Sequence, residues 1–64
     1  MSFKIENVEC FWENEKSIGI KGDDIDDVEF IPRNQIDEDS EVYEKGHSGT
    51  IIISDWIAEK KGWL

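Results

Sequence analysis

The apolar residues of this chain recur chiefly at every second position, the spacing of a half-buried β-strand rather than of a helix. Val8, Cys10 and Trp12 alternate with Glu9 and Phe11, and Phe3 and Ile5 begin the same pattern. After a polar turn at Glu13–Lys16, to which Asn14 is suited, Ile18 and Ile20 alternate with Gly19 and Lys21. This predicts a hairpin. Gly22, Asp23 and Asp24 supply the next turn, beyond which Val28 and Phe30 point one way and Asp27 and Glu29 the other. Pro32 ends that third strand or marks it as an edge, because proline has no N–H to give to a ladder.

The segment from Arg33 to Ser40 is polar except for Ile36, which is expected to anchor an irregular loop beneath the sheet. Val42 and Tyr43 suit a short extended piece. Turn residues Gly46 to Gly49 lead into Thr50, Ile51, Ile52 and Ile53, a β-branched run that predicts a central strand. Ser54 can cap a helix that opens with Asp55 and stops at Gly62, with Lys60 and Lys61 in its last turn. Trp56, Ile57 and the aliphatic stem of Lys60 are expected to face the sheet. The fold class that follows is α+β: a small antiparallel twisted sheet or partly open β-barrel of about four strands with a short C-terminal helix.

With 64 residues, residues 1–64 read as a single small domain near the lower limit for a purely hydrophobic core. The hydrophobic fraction is low at 38%, yet three Trp, three Phe and one Tyr are too many for a disordered tail. Trp12, Phe30 and Trp56 fit core positions. Phe11, on the opposite strand face from Trp12, and Trp63, beyond the helix stop, are candidates for exposure and for interface anchoring.

Charge is distributed very unevenly. Asp23 to Glu41 holds nine carboxylates against the single base Arg33, so this segment carries −8 of the formal net charge of −9. Self-repulsion of that kind costs stability and points to a basic partner. It also disfavours direct nucleic-acid binding, where lysine and arginine supply most of the affinity. The lone Cys10 cannot close an internal disulfide, and the N-terminus has no charged-then-apolar leader. No apolar run is long enough to span a membrane, so the expected location is the cytoplasm.

No cofactor or metal site is expected. An EF-hand loop needs glycine at its sixth position and glutamate at its twelfth. Counted from Asp24, those places hold Glu29 and Gln35, and counted from Asp23 they hold Val28 and Asn34. His47 has no cysteine or second histidine to complete a transition-metal set. Cys10 reads as a small core hydrophobe. The carboxylates alternate with apolar residues or cluster in turns, both of which solvate them, and the glycines form no phosphate-cradling motif. The chain is expected not to be an enzyme, and no catalytic residue is assigned.

Three segments carry a resemblance: Phe30-Ile-Pro-Arg-Asn-Gln-Ile36, Ser40-Glu-Val-Tyr-Glu-Lys-Gly46 and Asp55-Trp-Ile-Ala-Glu-Lys-Lys-Gly62. Together they resemble a family of short uncharacterised phage and prophage proteins, over about the last two-thirds of the chain. Asn34 and Phe30 depart from the serine and tryptophan usual in that pattern. The resemblance implies a mobile-element origin and no assigned activity.

The leading expectation is an acidic phage-type binding protein that docks on a basic, nucleic-acid-handling host protein. It would act as an anti-defence or anti-CRISPR-like inhibitor, a nucleic-acid mimic in effect. Asp23, Asp24, Asp26, Asp27, Asp37, Glu38 and Asp39 would steer association, with Trp63 as anchor. One alternative is a replication or recombination accessory that stacks single-stranded nucleic acid on Phe11, Phe30, Tyr43 or Trp63, with Lys4, Lys16, Lys21 and Arg33 on phosphates. Another is a plain adaptor or homodimer subunit, paired through the central strand or Trp63.

Overall fold

The structure, a computed structural model, describes residues 2–25 and 27–64. One antiparallel sheet is built from β1 (Ser2–Glu13), β2 (Ser17–Gly22), β3 (Glu29–Pro32) and β4 (Ser48–Ser54), in the order β3-β2-β1-β4. The sheet curls into a half-barrel and carries one short helix, α1 (Asp55–Lys60), consistent with a small α+β fold. A 3₁₀ turn, Arg33–Gln35, follows β3.

The central strand is β1, which pairs with β2 on one side and β4 on the other, and its two irregularities decide the core. Phe3 and Ile5 are odd-numbered, whereas Val8 and Cys10 are even, so a regular strand could not turn both pairs to one face. A bulge resolves the conflict. Ile5 pairs with Ile51 and Val8 with Gly49, so β1 uses one residue more than β4 over this stretch. Asn7, at φ 60°, absorbs the difference in the left-handed region that asparagine tolerates better than most residues. The partner strand must make room for it. A Cβ on Gly22 would sit 2.6 Å from the Asn7 carbonyl oxygen.

The second irregularity overturns an expectation. Cys10 pairs with Ile20 and Trp12 with Gly19, so Phe11 is an extra residue and Trp12 is rotated onto the convex face. The buried core consists instead of Ile5, Val8, Cys10, Ile18, Ile20, Ile25, Ile31, Val42, Ile51, Ile53, Ile57 and Ala58. It is aliphatic apart from the thiol. Branched side chains fill the narrow concave face, and each buried isoleucine contributes about 1.5–3 kcal/mol. None of the seven aromatic residues is fully buried. Trp12, Phe30 and Trp56, expected in the core, are exposed. On β3 it is Ile31 that points inward and Phe30 that points out, and Val28, just before the strand, is exposed.

β4 is an edge strand of the sheet, not the central strand its composition predicts, and the loop after Ile36 covers its free edge. Ile36 bridges Ile53, the Asp37 N–H donates to the Ile52 carbonyl at 2.8 Å, and the Glu41 N–H donates to Thr50 at 2.9 Å. Side chains complete the cover. The Ser40 hydroxyl accepts from the N–H groups of Ile52 and Val42, both at 3.2 Å, and donates to the Val42 carbonyl at 2.9 Å. A Glu41 carboxylate oxygen accepts the Thr50 N–H at 2.9 Å. An edge saturated in this way offers no template for a further strand. Val42, expected in an extended piece, is in no strand but is fully buried.

At the end of β4, Ser54 caps α1 by accepting the Ile57 N–H at 3.3 Å, and its hydroxyl donates to Gln35. Gly62, at φ 80°, ends the helix, with Gly62 N–H bonded to Glu59 and Trp63 N–H to Ala58 in the paired pattern of a Schellman stop. Ile57 and Ala58 face the sheet. Trp56 does not; its ring lies outside with the Lys60 ammonium 4.9 Å above it, so the stem of Lys60 covers tryptophan rather than sheet.

Ser40→Ala leaves two backbone N–H groups beside the core without a partner, and is expected to cost about 1–3 kcal/mol, read as a lowered urea midpoint at unchanged m-value.

Candidate functional site

Of the residues expected to meet a partner, Asp23, Asp24 and Asp27 are exposed in the turn between β2 and β3. Asp26 lies outside the described residues. This turn is anchored by Ile25, which is buried and whose N–H donates to the Gly22 carbonyl at 3.2 Å. Asp37, Glu38 and Asp39 are exposed in the loop that runs along the outer edge of β4. The two groups therefore occupy separate rims, one beyond the end of β2 and the other outside β4, with β1 and β4 between them. Among the described residues, none of these six carboxylates takes part in an ion pair. Trp63 is half-buried and stacked on Phe3, with ring centroids 6.3 Å apart and planes within 11°.

Arg33, the one base of the acidic segment, is engaged internally. Its Nε donates to the Asn14 carbonyl at 2.8 Å, Nη1 to the Tyr43 carbonyl at 3.0 Å, and Nη2 to the Glu13 carboxylate at 2.6 Å. It ties the β1–β2 turn to the loop before β4. The turn itself is set by Asn14, whose side-chain oxygen accepts from the N–H groups of Lys16 and Ser17.

The most distinctive surface is one that sequence periodicity assigned to the interior. On the convex face, Trp12, Gly19 and Phe30 lie in one row across β1, β2 and β3. Flanking strands are separated by about 9.6 Å across a middle strand, too far for two rings to meet over an ordinary side chain. Gly19 removes that obstacle. The Trp12 and Phe30 rings meet edge to face with centroids 5.4 Å apart, and the Phe11 ring reaches the same spot. A Cβ on Gly19 would lie 3.0 Å from Phe30 and 3.2 Å from Phe11. Lys21, on the same face, places its ammonium 5.9 Å from the Phe11 centroid. Thus Phe11 and Trp12, expected on opposite faces, share one face. The signal that could have revealed this is the Phe11-Trp12 doublet opposite a glycine, since two adjacent aromatics cannot both enter a narrow core.

Cys10 and His47 do not form a reactive pair. The buried thiol donates to the Trp12 carbonyl at 3.2 Å, and burial pushes its pKa up. The His47 ring accepts the Tyr43 N–H at 3.4 Å through Nδ1, packs on the Tyr43 ring and approaches Glu44 through Nε2. Among the described residues no group of three or more His, Cys, Asp or Glu side chains is arranged to hold a metal ion. No described helix is long and apolar enough to cross a membrane. Comparison with protein-family models, curated proteins and solved structures finds no match.

Gly19→Val is expected to splay the Trp12–Phe30 pair, flattening the near-ultraviolet circular dichroism and lowering stability by about 1–3 kcal/mol through overpacking. Cys10 is expected to resist iodoacetamide at pH 8 in the folded protein and to react promptly in denaturant. Because its folded pKa lies above the unfolded one, the thiol's contribution to stability is complete below the unfolded value and is lost as pH rises past it, so the urea midpoint should fall at alkaline pH more in wild type than in Cys10→Ala.

Proposed function

We propose that this chain is a phage-type acidic binding protein that docks on a basic, nucleic-acid-handling host protein, such as a defence nuclease or CRISPR component, and inhibits it by occupying a surface meant for phosphates. The observation that carries the reading is the set of exposed carboxylates at Asp23, Asp24, Asp27, Asp37, Glu38 and Asp39, none neutralised by a described cation of the chain itself. A folded chain of 64 residues bears the repulsion of a −9 net charge, which a basic partner would relieve. The sequence resemblance to short phage proteins supports the same reading.

Stacking of single-stranded nucleic acid on the exposed Trp12 and Phe30 rings is the second reading, favoured by their place on a sheet face beside Lys21. It is weakened by Arg33, whose guanidinium is engaged with Glu13 and two carbonyls.

DNA-cleavage assays with purified defence nucleases and CRISPR effectors test the proposal. Near-stoichiometric inhibition by wild type is expected with at least one of them. It should be lost when the six carboxylates are changed to lysine, with association slowed by about ten-fold or more at low salt. Equal inhibition by the reversed variant at low salt would end this reading.

A further inference from the structure

Two aromatic residues already carry a cation of the chain's own, Phe11 on the convex sheet face under Lys21 and Trp56 on α1 under Lys60. Trp12 and Phe30, at 39% and 48% exposure, are the exposed aromatic pair that carries none among the described residues. Val28, at 40% exposure, extends the same apolar strip toward the β2–β3 turn. That turn holds two unpaired carboxylates next to the strip, Asp23 beside Lys21 and Gly22 and Asp27 preceding Val28, while Asp24 lines a cleft with Phe3 and Trp63. Lys21 is the one base of the strip, and its register partner on β1 is Glu9.

We infer that this convex face of β1, β2 and β3 is a docking surface for an arginine-rich protein segment. Guanidinium groups stack over Trp12 and Phe30, and further arginines pair with Asp23 and Asp27. Arginine fits better than lysine because its plane can lie on a ring while its N–H fork still reaches a carboxylate. A second copy of the chain is a poor occupant, since each copy brings a charge of −9 and the same acidic turn. Single-stranded nucleic acid would meet those carboxylates with its phosphates. The inference rests on the proposed basic partner and sharpens it: the Asp37–Asp39 rim, across β1 and β4, is not part of this contact.

The test uses the full chain and a capped nine-residue peptide of alternating arginine and glycine, titrated at low salt and followed by proton–nitrogen NMR. The three indole N–H signals report separately. That of Trp12 is expected to shift while those of Trp56 and Trp63 stay, with amide shifts centred on Gly19, Lys21, Val28 and Phe30. Asp23→Asn/Asp27→Asn should bind about ten-fold more weakly, and Asp37→Asn/Glu38→Asn/Asp39→Asn within about two-fold of wild type. Val28→Glu keeps the Trp12–Phe30 pair and should retain binding, whereas Trp12→Ala should lose it at unchanged backbone spectrum. If Trp12→Ala is unfolded, Phe30→Leu replaces it with the same expectation. Peptide binding with Trp12 unmoved, or equal losses in the two carboxylate variants, overturns this inference and leaves the basic-partner reading standing. No binding by wild type also overturns this inference, whereas the basic-partner reading stands or falls with the cleavage assays. Shifts of Trp12 with an oligothymidine probe but not with the peptide, or concentration-dependent dimerisation that moves Trp12 without peptide, also overturn it.

Discussion

Everything in this fold depends on how β1 keeps its inward face while pairing on both sides. A strand with a strict two-residue repeat would bury Phe3 and Ile5 or Val8 and Cys10, but not both pairs. The bulge at Asn7 shifts the phase once and recruits both Ile5 and Val8 to the core. The irregularity at Phe11 shifts it again and expels Trp12. Bulges also bend and twist a strand, which suits a sheet that curls into a half-barrel.

That curl favours a core of branched aliphatics and sends the aromatics outside. The concave face is narrow and is closed by a helix of six residues that contributes only Ile57 and Ala58. The aromatic rings then become surface features in different surroundings: Trp63 stacked on Phe3, Trp56 beneath Lys60, and Trp12 against Phe30 over a glycine. Trp12 and Phe30 are the pair whose rings are both exposed, whereas the half-buried Phe3 and Trp63 share a cleft with Asp24.

The free edge of β4 illustrates a different economy. A β-branched edge strand invites intermolecular pairing, yet here its groups at Thr50 and Ile52 are taken by Asp37, Ser40 and Glu41 of the preceding loop. The acidic loop thus has a structural role in its backbone and in Ser40, while Asp37, Glu38 and Asp39 face solvent. Dimerisation through this strand would require that cover to be displaced.

Much of the local structure was legible in the residues themselves. Asn14 set a turn, Pro32 ended an edge strand, Ser54 capped the helix and Gly62 stopped it, because each acts through its own backbone preferences or through partners within a few positions. The uneven charge was equally plain from composition. Tertiary structure alone decided which face each aromatic occupies, that β4 lies at an edge, and that the two acidic groups stand on separate rims. Those outcomes turn on one-residue shifts of register between strands distant in sequence. A shift of one residue inverts every side chain beyond it, and local periodicity carries no record of where a bulge will fall.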